Sequence, residues 1–169
     1  MPQVRPDSDT SSVPTSPVPA VEFLRLDSRA KAPFRHFESD VGWDLFAFTY
    51  MGENPNPSKI MIPSRGVRAI PTRIAIRPPL GFFTMVCSRS GLAKDRVLFV
   101  ANSPGIIDPE YTGEILVLLY NGGYEPYWIN HEDRVAQIVI LKSPQLAFRE
   151  VRSLAETQRG ARGFGSTGR

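Results

Sequence analysis

The chain has 169 residues, of which 41% are hydrophobic, enough to fill the core of one domain but hardly of two. Its net charge is only +3, and Arg149–Arg169 carries all of this excess, so a broad nucleic-acid-binding face is disfavoured. No apolar run approaches the roughly 18 residues that cross a membrane, and one Cys with two His argues against disulfide or zinc frameworks. We expect a soluble intracellular protein, cytoplasmic or nuclear.

The first 20 residues contain five Pro and six Ser or Thr, so residues 1–20 are predicted to be disordered. Short apolar runs then alternate with turn signals, which is typical of an all-β domain and places that domain at residues 21–158. The predicted strands are, in chain order, Val21–Leu26, Trp43–Tyr50, Lys59–Ile62, Val67–Ile76, Gly81–Ser88, Val97–Ala101, Glu114–Asn121, Tyr127–Ile129, Arg134–Leu141 and Gln145–Glu150.

Little of the chain has a helical pattern, and only Ser90–Lys94 and Ser153–Gln158 are predicted to form a turn or two of helix. Residues 115–120 and 135–141 are apolar on both alternating faces. This pattern indicates strands that are covered on both sides, either in a sandwich or at a subunit interface. Residues 159–169 have no core-forming pattern, and we expect them to be mobile.

The C-terminal segment combines glycines with residues that suit a phosphate. Glycines let backbone N–H groups approach anionic oxygens, and Arg159 and Arg162 add guanidinium donors. Phe164 lies between glycines, where an exposed ring can stack on a base. The segment is therefore either a phosphate-binding lid or a flexible tail without a ligand.

Two further clusters are candidates for chemistry. In Ser88–Ala93, a Ser that ends a strand and caps a short helix would place a hydroxyl and free N–H groups around an anion. An ordinary helix cap is the alternative. In Gly105–Gly113, Asp108 either acts as general base toward a water or simply begins a Pro-containing turn. Tyr111 presents its ring to a ligand or packs on a strand.

The order of these clusters resembles the five motifs of the trimeric deoxyuridine triphosphatase (dUTPase) family. The corresponding segments are Val41–Leu45, Arg89–Ala93, Gly105–Glu114, Arg134–Gln137 and Arg159–Gly168. The resemblance covers roughly residues 21–169. It implies a distorted jelly-roll-like β fold and a homotrimer with shared active sites, in which the C-terminal motif is donated to a neighbour. It also implies hydrolysis of dUTP to dUMP and pyrophosphate, which limits uracil in DNA.

The resemblance further implies a role for each motif residue. Asp108 would activate the water that attacks the α-phosphate, and Ser90, Gln137 and Asp44 would complete the catalytic group. Mg²⁺ is the implied cofactor, held by the substrate triphosphate and not bound directly by the protein, and Asp44 would support either the water shell of the ion or the Arg of the fifth motif. The residues implied to bind substrate are Arg89, Ser90, Gly91, Asn102, Ile106, Ile107, Asp108, Tyr111, Leu116, Gln137, Arg159, Phe164, Gly165, Ser166 and Thr167.

Within that set, the hairpin from Asn102 to Leu116 would hold the nucleoside. Asn102 and backbone groups would recognise the uracil edge, and Tyr111 would stack under the deoxyribose and leave no room for a 2′-OH. Phe164 would cover the uracil when the tail closes, and Arg159 would clamp the terminal phosphate.

Some residues depart from the family pattern, and two other functions stay open. Arg162 would add a phosphate contact or point to solvent, and the loop Met51–Ser58 has no assigned role. A related dCTP deaminase is disfavoured because Leu118 stands ten residues after Asp108, where those enzymes carry a Glu. A regulatory or interaction module without catalysis is disfavoured by the intact Asp108 and glycine-rich tail. We expect no membrane and no direct nucleic-acid partner, and a viral or phage source is compatible with the sequence.

Overall fold

The structure, a computed structural model, describes residues 19–162 of the chain. The strands are β1 (Glu22–Arg25), β2 (Trp43–Phe46), β3 (Ile60–Ile62), β4 (Val67–Pro71), β5 (Ile74–Arg77), β6 (Phe82–Cys87), β7 (Leu98–Val100), β8 (Gly105–Ile107), β9 (Leu116–Asn121), β10 (Tyr127–Ile129) and β11 (Arg134–Lys142), with helix α1 (Ser90–Arg96) between β6 and β7. The predicted all-β class with very little helix is confirmed. The disorder predicted for residues 1–20 concerns mainly residues 1–18, which lie outside the described part.

The strands form a four-stranded sheet in the order β2-β11-β6-β8, a three-stranded sheet in the order β4-β9-β7, and the pairs β1-β5 and β10-β3. All of these pairings are antiparallel. Strand β11 is central, and its Gln137 lies opposite Asp44 on β2 and Cys87 on β6. The four-stranded sheet therefore brings the first and fourth motifs side by side.

One apolar core joins the two larger sheets. Leu45 on β2 and Ile138 on β11 belong to the same buried cluster as Ile70 on β4 and Leu119 on β9. Complete burial of side chains of this size contributes about 1.5–3 kcal/mol each as an upper estimate. This shared core fixes the position of the two sheets relative to each other, and therefore also the positions of the loops that carry the motifs.

Strand β9 is covered on one face only. Val117, Leu119 and Asn121 are buried, whereas Leu116 and Leu118 on the other face are exposed. Of the two alternatives predicted for this strand, a sandwich within the protomer is therefore wrong for the second face. Coverage by another subunit stays a prediction.

Several predicted elements differ from the structure in extent. Residues 67–76 form two strands, because the chain turns at Thr72 and Arg73. Strand β2 ends at Phe46, which lies opposite Arg134, and Ala47 continues the contact by hydrogen bonds to Asp133 and Glu132 in the turn before β11. The short strand β8 was not predicted, because three residues give little alternation to detect.

The C-terminal predictions of regular structure are wrong. Residues 145–150 are not a strand, because no described strand pairs with them, and residues 153–158 are not a helix. The other predicted helix is present: α1 begins at Ser90 as predicted and ends at Arg96, two residues beyond its predicted end at Lys94. Within residues 19–162, no helix is long and apolar enough to cross a bilayer.

Arg29 ties the unassigned loop Met51–Ser58 to the domain. Its guanidinium binds both carboxylate oxygens of Asp27, at 3.0 and 2.7 Å, and donates to the carbonyl of Asn54 at 3.3 Å. It also lies over the ring of Tyr50, 4.3 Å from the centroid. The hydrogen bonds from Arg29 lower the pKa of Asp27 from 3.8 to about 2.

This lowered pKa predicts a pH dependence of stability. Because the folded pKa of Asp27 is depressed, its contribution is complete above pH ~4 and is lost as the pH falls toward ~2. The unfolding free energy of Asp27→Asn should therefore fall less steeply than that of the wild type between pH 4 and pH 2. Urea titrations followed by circular dichroism measure this. The control is Glu53→Gln, which changes an exposed carboxylate in the loop Met51–Ser58. An equal pH slope for the wild type and Asp27→Asn would contradict the prediction.

Candidate active site

A polar cavity of about 370 Å³ lies where β2, β11 and the start of α1 meet. Its lining residues are Phe34, Arg35, His36, Asp40, Val41, Gly42, Asp44, Arg89, Ser90, Gly91, Arg134 and Gln137. The cavity thus brings together all five residues predicted from the first, second and fourth motifs. We refer to it as the polar cavity.

Asp44 holds two guanidinium groups in the polar cavity. Arg89 donates to it through Nε at 2.6 Å and Nη2 at 3.4 Å, and Arg134 donates through Nη1 at 3.2 Å. The Asp44 side chain is only 17% exposed, so these contacts are partly shielded from water. Two cations share one carboxylate, which leaves the group with a net positive charge that suits an anion.

Gln137 is fixed between strand β6 and the loop before β2. Its Nε2 donates to the carbonyl of Ser88 at 3.0 Å. A Cβ atom placed on Gly42 would lie only 2.4 Å from Oε1 of Gln137, so only glycine permits this approach. Gly42 therefore leaves the space that the side-chain oxygen of Gln137 occupies, a role that the motif comparison did not assign.

The start of α1 differs from the predicted cap. Arg89 is the N-cap residue and no side chain caps the helix, whereas Ser88 Oγ accepts the N–H of Val100 at 2.9 Å. The predicted serine cap is therefore wrong. Ser90 and Gly91 are exposed at the edge of the polar cavity, and no atom lies within 4 Å of a Cβ placed on Gly91. The space beside this turn is open to a ligand.

A second cavity of about 280 Å³ lies between β8, β9 and the loop that joins them. It contains all six residues predicted from the hairpin: Asn102, Ile106, Ile107, Asp108, Tyr111 and Leu116. The rest of its lining is mostly apolar: Val86, Val100, Gly105, Glu114, Ile115, Val117 and Leu118. We refer to it as the hairpin cavity.

Tyr111 and Asp108 lie on the same loop of the hairpin cavity. The Tyr111 hydroxyl donates to the carbonyl of Glu114 at 2.9 Å, and a Cβ atom placed on Gly113 would lie 2.6 Å from that hydroxyl oxygen. The ring of Tyr111 therefore packs directly against Gly113. Asp108 is exposed, and its carboxylate has no hydrogen-bond partner among residues 19–162, so water can reach it. Asn102, also in the cavity lining, packs against Gly105.

The two cavities have no lining residue in common. One protomer therefore does not bring the two groups of predicted residues into a single cavity. Arg159 lines neither cavity and donates through Nε to the carbonyl of Arg162 at 3.1 Å. Arg162 in turn binds the carbonyls of Arg159 and Gln158. The predicted tail residues Phe164, Gly165, Ser166 and Thr167 lie outside the described part.

Sequence reasoning missed several residues of the polar cavity. Arg134 begins the fourth motif but had no assigned role, although its charge within that motif was a visible signal. Arg35, His36 and Asp40 precede the first motif and carried no signal of their own. Within the described range, no group of three or more His, Cys, Asp or Glu side chains could hold a metal ion.

An all-β scaffold with a cationic cavity suited to phosphate and a separate cavity suited to a planar ring defines a class of small nucleotide-binding β proteins. The dUTPase family model matches residues 28–168 of the chain. The chain therefore belongs to the dUTPase family, as its motifs predicted.

Individual relatives agree with this assignment. The chain is 40% identical over 150 residues to the deoxyuridine 5'-triphosphate nucleotidohydrolase of Anaplasma marginale, covering 88% of this chain and 97% of the relative. A mutant dUTPase of Staphylococcus bacteriophage 80alpha with dUpNHpp has a TM-score of 0.76 at 22% identity, covering 88% and 98% of the two chains. A mutant dUTPase of phage phi11 of S. aureus, described with a structural Mg(II) ion, has a TM-score of 0.70 at 21% identity, covering 81% and 99%. These similarities confirm the predicted dUTPase β fold.

Proposed function

We propose that the protein hydrolyses dUTP to dUMP and pyrophosphate, which limits uracil in DNA and supplies dUMP for dTMP synthesis. One observation carries this proposal: the motif residues divide between a cationic cavity suited to a triphosphate and a hairpin cavity suited to a nucleoside. A cytoplasmic or nuclear location fits a substrate that is a DNA precursor.

The polar cavity would hold the triphosphate. Arg89, oriented by Asp44, would bind phosphate oxygens through its guanidinium, and the open turn at Ser90 and Gly91 would add hydroxyl and backbone N–H donors. Mg²⁺ would neutralise part of the triphosphate charge. Because two guanidinium groups already occupy Asp44, this carboxylate suits a contact through water better than direct coordination.

The hairpin cavity would hold uracil and deoxyribose. Asn102 offers an acceptor and donors to the uracil edge, and the exposed backbone around Ile106 and Leu116 would complete its recognition. The ring of Tyr111, fixed by Gly113, would lie under the sugar and exclude a 2′-OH by shape. Leu118 lines this cavity with an apolar side chain, which disfavours proton transfer to a cytosine ring and supports hydrolysis over deamination.

Asp108 would act as the general base. It would accept a proton from a water while the water oxygen bonds to the α-phosphorus, and the bond from that phosphorus to the bridging oxygen would break to release pyrophosphate. Ser90 and Gln137 would position the phosphate and the water, and Asp44 would act through Arg89. The tail would close over the nucleotide, with Arg159 on the terminal phosphate, Phe164 on the uracil, and Gly165, Ser166 and Thr167 on the phosphates.

We also propose that the active sites are shared in a homotrimer. The outer face of the three-stranded sheet exposes Val67, Phe99, Leu116 and Leu118 side by side, and two of these residues, Leu116 and Leu118, also line the hairpin cavity. An apolar sheet face of this kind supports burial against another protein surface. Packing of copies at this face would complete each hairpin cavity with the polar cavity of a neighbour.

The segment after β11 supports the same assembly. Three large apolar side chains lie in an irregular stretch and are exposed within residues 19–162, Phe148 fully so: Leu146, Phe148 and Leu154. Three large apolar side chains in one exposed stretch favour packing against a second copy. That arrangement would carry the tail toward a neighbouring site.

A pyrophosphate-release assay on dUTP, dCTP, UTP and dTTP tests the proposed activity. We expect kcat/KM for dUTP to exceed that for each other nucleotide by about 10³-fold or more, because unpaired polar groups and a blocked sugar site penalise the others. Hydrolysis of dCTP as fast as dUTP would contradict the proposed specificity. Absence of turnover with tight dUTP binding would favour the regulatory-module alternative.

Gly42→Ala tests the positioning of Gln137. The added Cβ would overlap Oε1 of Gln137 and displace it, so we expect kcat/KM for dUTP to fall by about tenfold or more without loss of the fold. Steady-state kinetics with a thermal melt measure both effects. Ser39→Ala, on the same loop but outside the cavity lining, is the control and should match the wild type. Normal kinetics in Gly42→Ala would show that Gln137 has no such role.

A further inference from the structure

The turn between β4 and β5 holds a strained residue next to the hairpin cavity. Arg73 has φ 54°, in the left-handed region that non-glycine residues rarely adopt. The preceding Thr72 is buried, and its hydroxyl donates to the carbonyl of Ile115 at 2.8 Å. Ile115 in turn donates its N–H to Ile74 at 2.8 Å. The turn is thus bonded on both sides to the chain that leaves the hairpin loop.

Arg73 uses its strained conformation to bind Glu114 twice. Its backbone N–H donates to Oε1 of Glu114 at 2.8 Å, and its Nη1 donates to Oε2 at 3.1 Å. The Glu114 side chain is only 18% exposed, so the pair is partly shielded from water. Strain that persists in a folded protein must be offset by surrounding contacts, and Arg73 has this double contact together with a hydrogen bond from the N–H of Leu26 to its carbonyl at 2.9 Å.

Glu114 transmits this anchor to Tyr111. Its carbonyl accepts the Tyr111 hydroxyl at 2.9 Å, while Gly113 between them lies under the ring. Asp108 has a different anchor, because it directly follows β8, whose Ile107 pairs with Thr84 on β6. Asp108 and Tyr111 are joined by one turn hydrogen bond, from the N–H of Tyr111 to the carbonyl of Asp108 at 3.0 Å, but each has an anchor of its own as well.

We infer that Arg73 and Glu114 are positioning residues that hold Tyr111 under the deoxyribose and so set the discrimination between dUTP and UTP. This inference rests on the proposed function. A ring excludes a 2′-OH by shape only while it is fixed, since a ring that can shift makes room for the extra hydroxyl. Loss of the anchor should therefore relax sugar selection more than it slows the chemical step at Asp108.

The experiment compares Glu114→Ala, Arg73→Gly and the double variant, with kcat and KM measured for both dUTP and UTP. Glu114→Ala removes both contacts, whereas Arg73→Gly removes the guanidinium, relieves the strained φ and keeps a backbone N–H. The control is Glu132→Gly. Glu132 is also left-handed, with φ 62°, and is paired with Lys31 at 2.7 Å, but it lines neither cavity.

In Glu114→Ala we expect the ratio of kcat/KM for dUTP to that for UTP to fall about tenfold, which corresponds to about 1.4 kcal/mol. Most of this change should come from a lowered KM for UTP, because the loosened ring admits the 2′-OH, with kcat for dUTP within about threefold of the wild type. Arg73→Gly should show a smaller fall in the same direction. The double variant should be no worse than Glu114→Ala, because both changes act on the same interaction between Arg73 and Glu114.

Other outcomes would overturn the inference. An unchanged ratio in Glu114→Ala, an equal fall in Glu132→Gly, or additive effects in the double variant would each give the pair a merely structural role. Should Glu114→Ala fail to fold, Arg73→Gly decides, since its backbone strain is relieved. A wild-type protein that does not hydrolyse dUTP would overturn the proposed function and this inference together, whereas an active wild type with an unchanged variant ratio would overturn this inference alone.

Discussion

Asp108→Asn is expected to lower kcat for dUTP by about 10³-fold while nucleotide affinity stays within a few-fold. An amide has the shape of the carboxylate but cannot accept the proton of the attacking water. Within residues 19–162, the Asp108 carboxylate makes no hydrogen bond that the substitution would break. Loss of turnover would therefore report chemistry and not unfolding.

The measurement combines pyrophosphate release with equilibrium binding of a non-hydrolysable dUTP analogue. Glu110→Gln is the matched control, because Glu110 is an exposed carboxylate on the same loop and lies outside the cavity lining. It should leave both rate and affinity close to wild type. Survival of turnover in Asp108→Asn would show that another group activates the water.

The sequence predicted most strands because alternating apolar residues report directly which face is buried. It did not predict the break between β4 and β5, since that turn has Arg73 in the left-handed region where a glycine would have been the usual signal. It also did not predict that residues 145–150 would lack a partner strand. Their apolar side chains satisfy a strand pattern, but pairing depends on chain segments that the pattern does not specify.

The candidate site was predictable as a set of residues but not as a geometry. Motif order identified Asp44, Arg89 and Gln137, yet nothing local in the sequence indicates that Asp44 binds two guanidinium groups. The fixed position of Tyr111 likewise depends on Glu114 and on a turn some forty residues earlier in the chain. Such contacts arise from sheet register, which brings distant segments together only after the fold has formed.

The positive charges that matter for an anion are concentrated in the polar cavity. The body of the chain has no net charge, but it concentrates Arg89 and Arg134 around one carboxylate in the polar cavity. The basic tail would then add Arg159 to the same anion in an assembled trimer. Local concentration of cations, and not overall charge, would bind the triphosphate.

Two inactive variants are expected to regain activity when their subunits are mixed in one trimer. Asp108→Asn damages the hairpin cavity, and Arg89→Ala damages the polar cavity, which has no lining residue in common with the first. If each site combines the hairpin cavity of one subunit with the polar cavity of another, random mixing repairs about a quarter of the sites. In every trimer that contains both variants, one of the three sites escapes both changes, so purified mixed trimers should show about a third of wild-type activity, although each parent variant is nearly inactive.

Co-expression of the two variants with different affinity tags, followed by sequential purification, isolates mixed trimers for the pyrophosphate-release assay. A mixture of Asp108→Asn with Tyr111→Ala is the matched control, because both changes damage the hairpin cavity, so every site of a mixed trimer still contains a damaged one. The activity of this control should lie between those of its two parents. Mixed trimers of Asp108→Asn and Arg89→Ala without recovered activity would place the complete site within one protomer, and a monomer in native mass spectrometry would contradict the shared site directly.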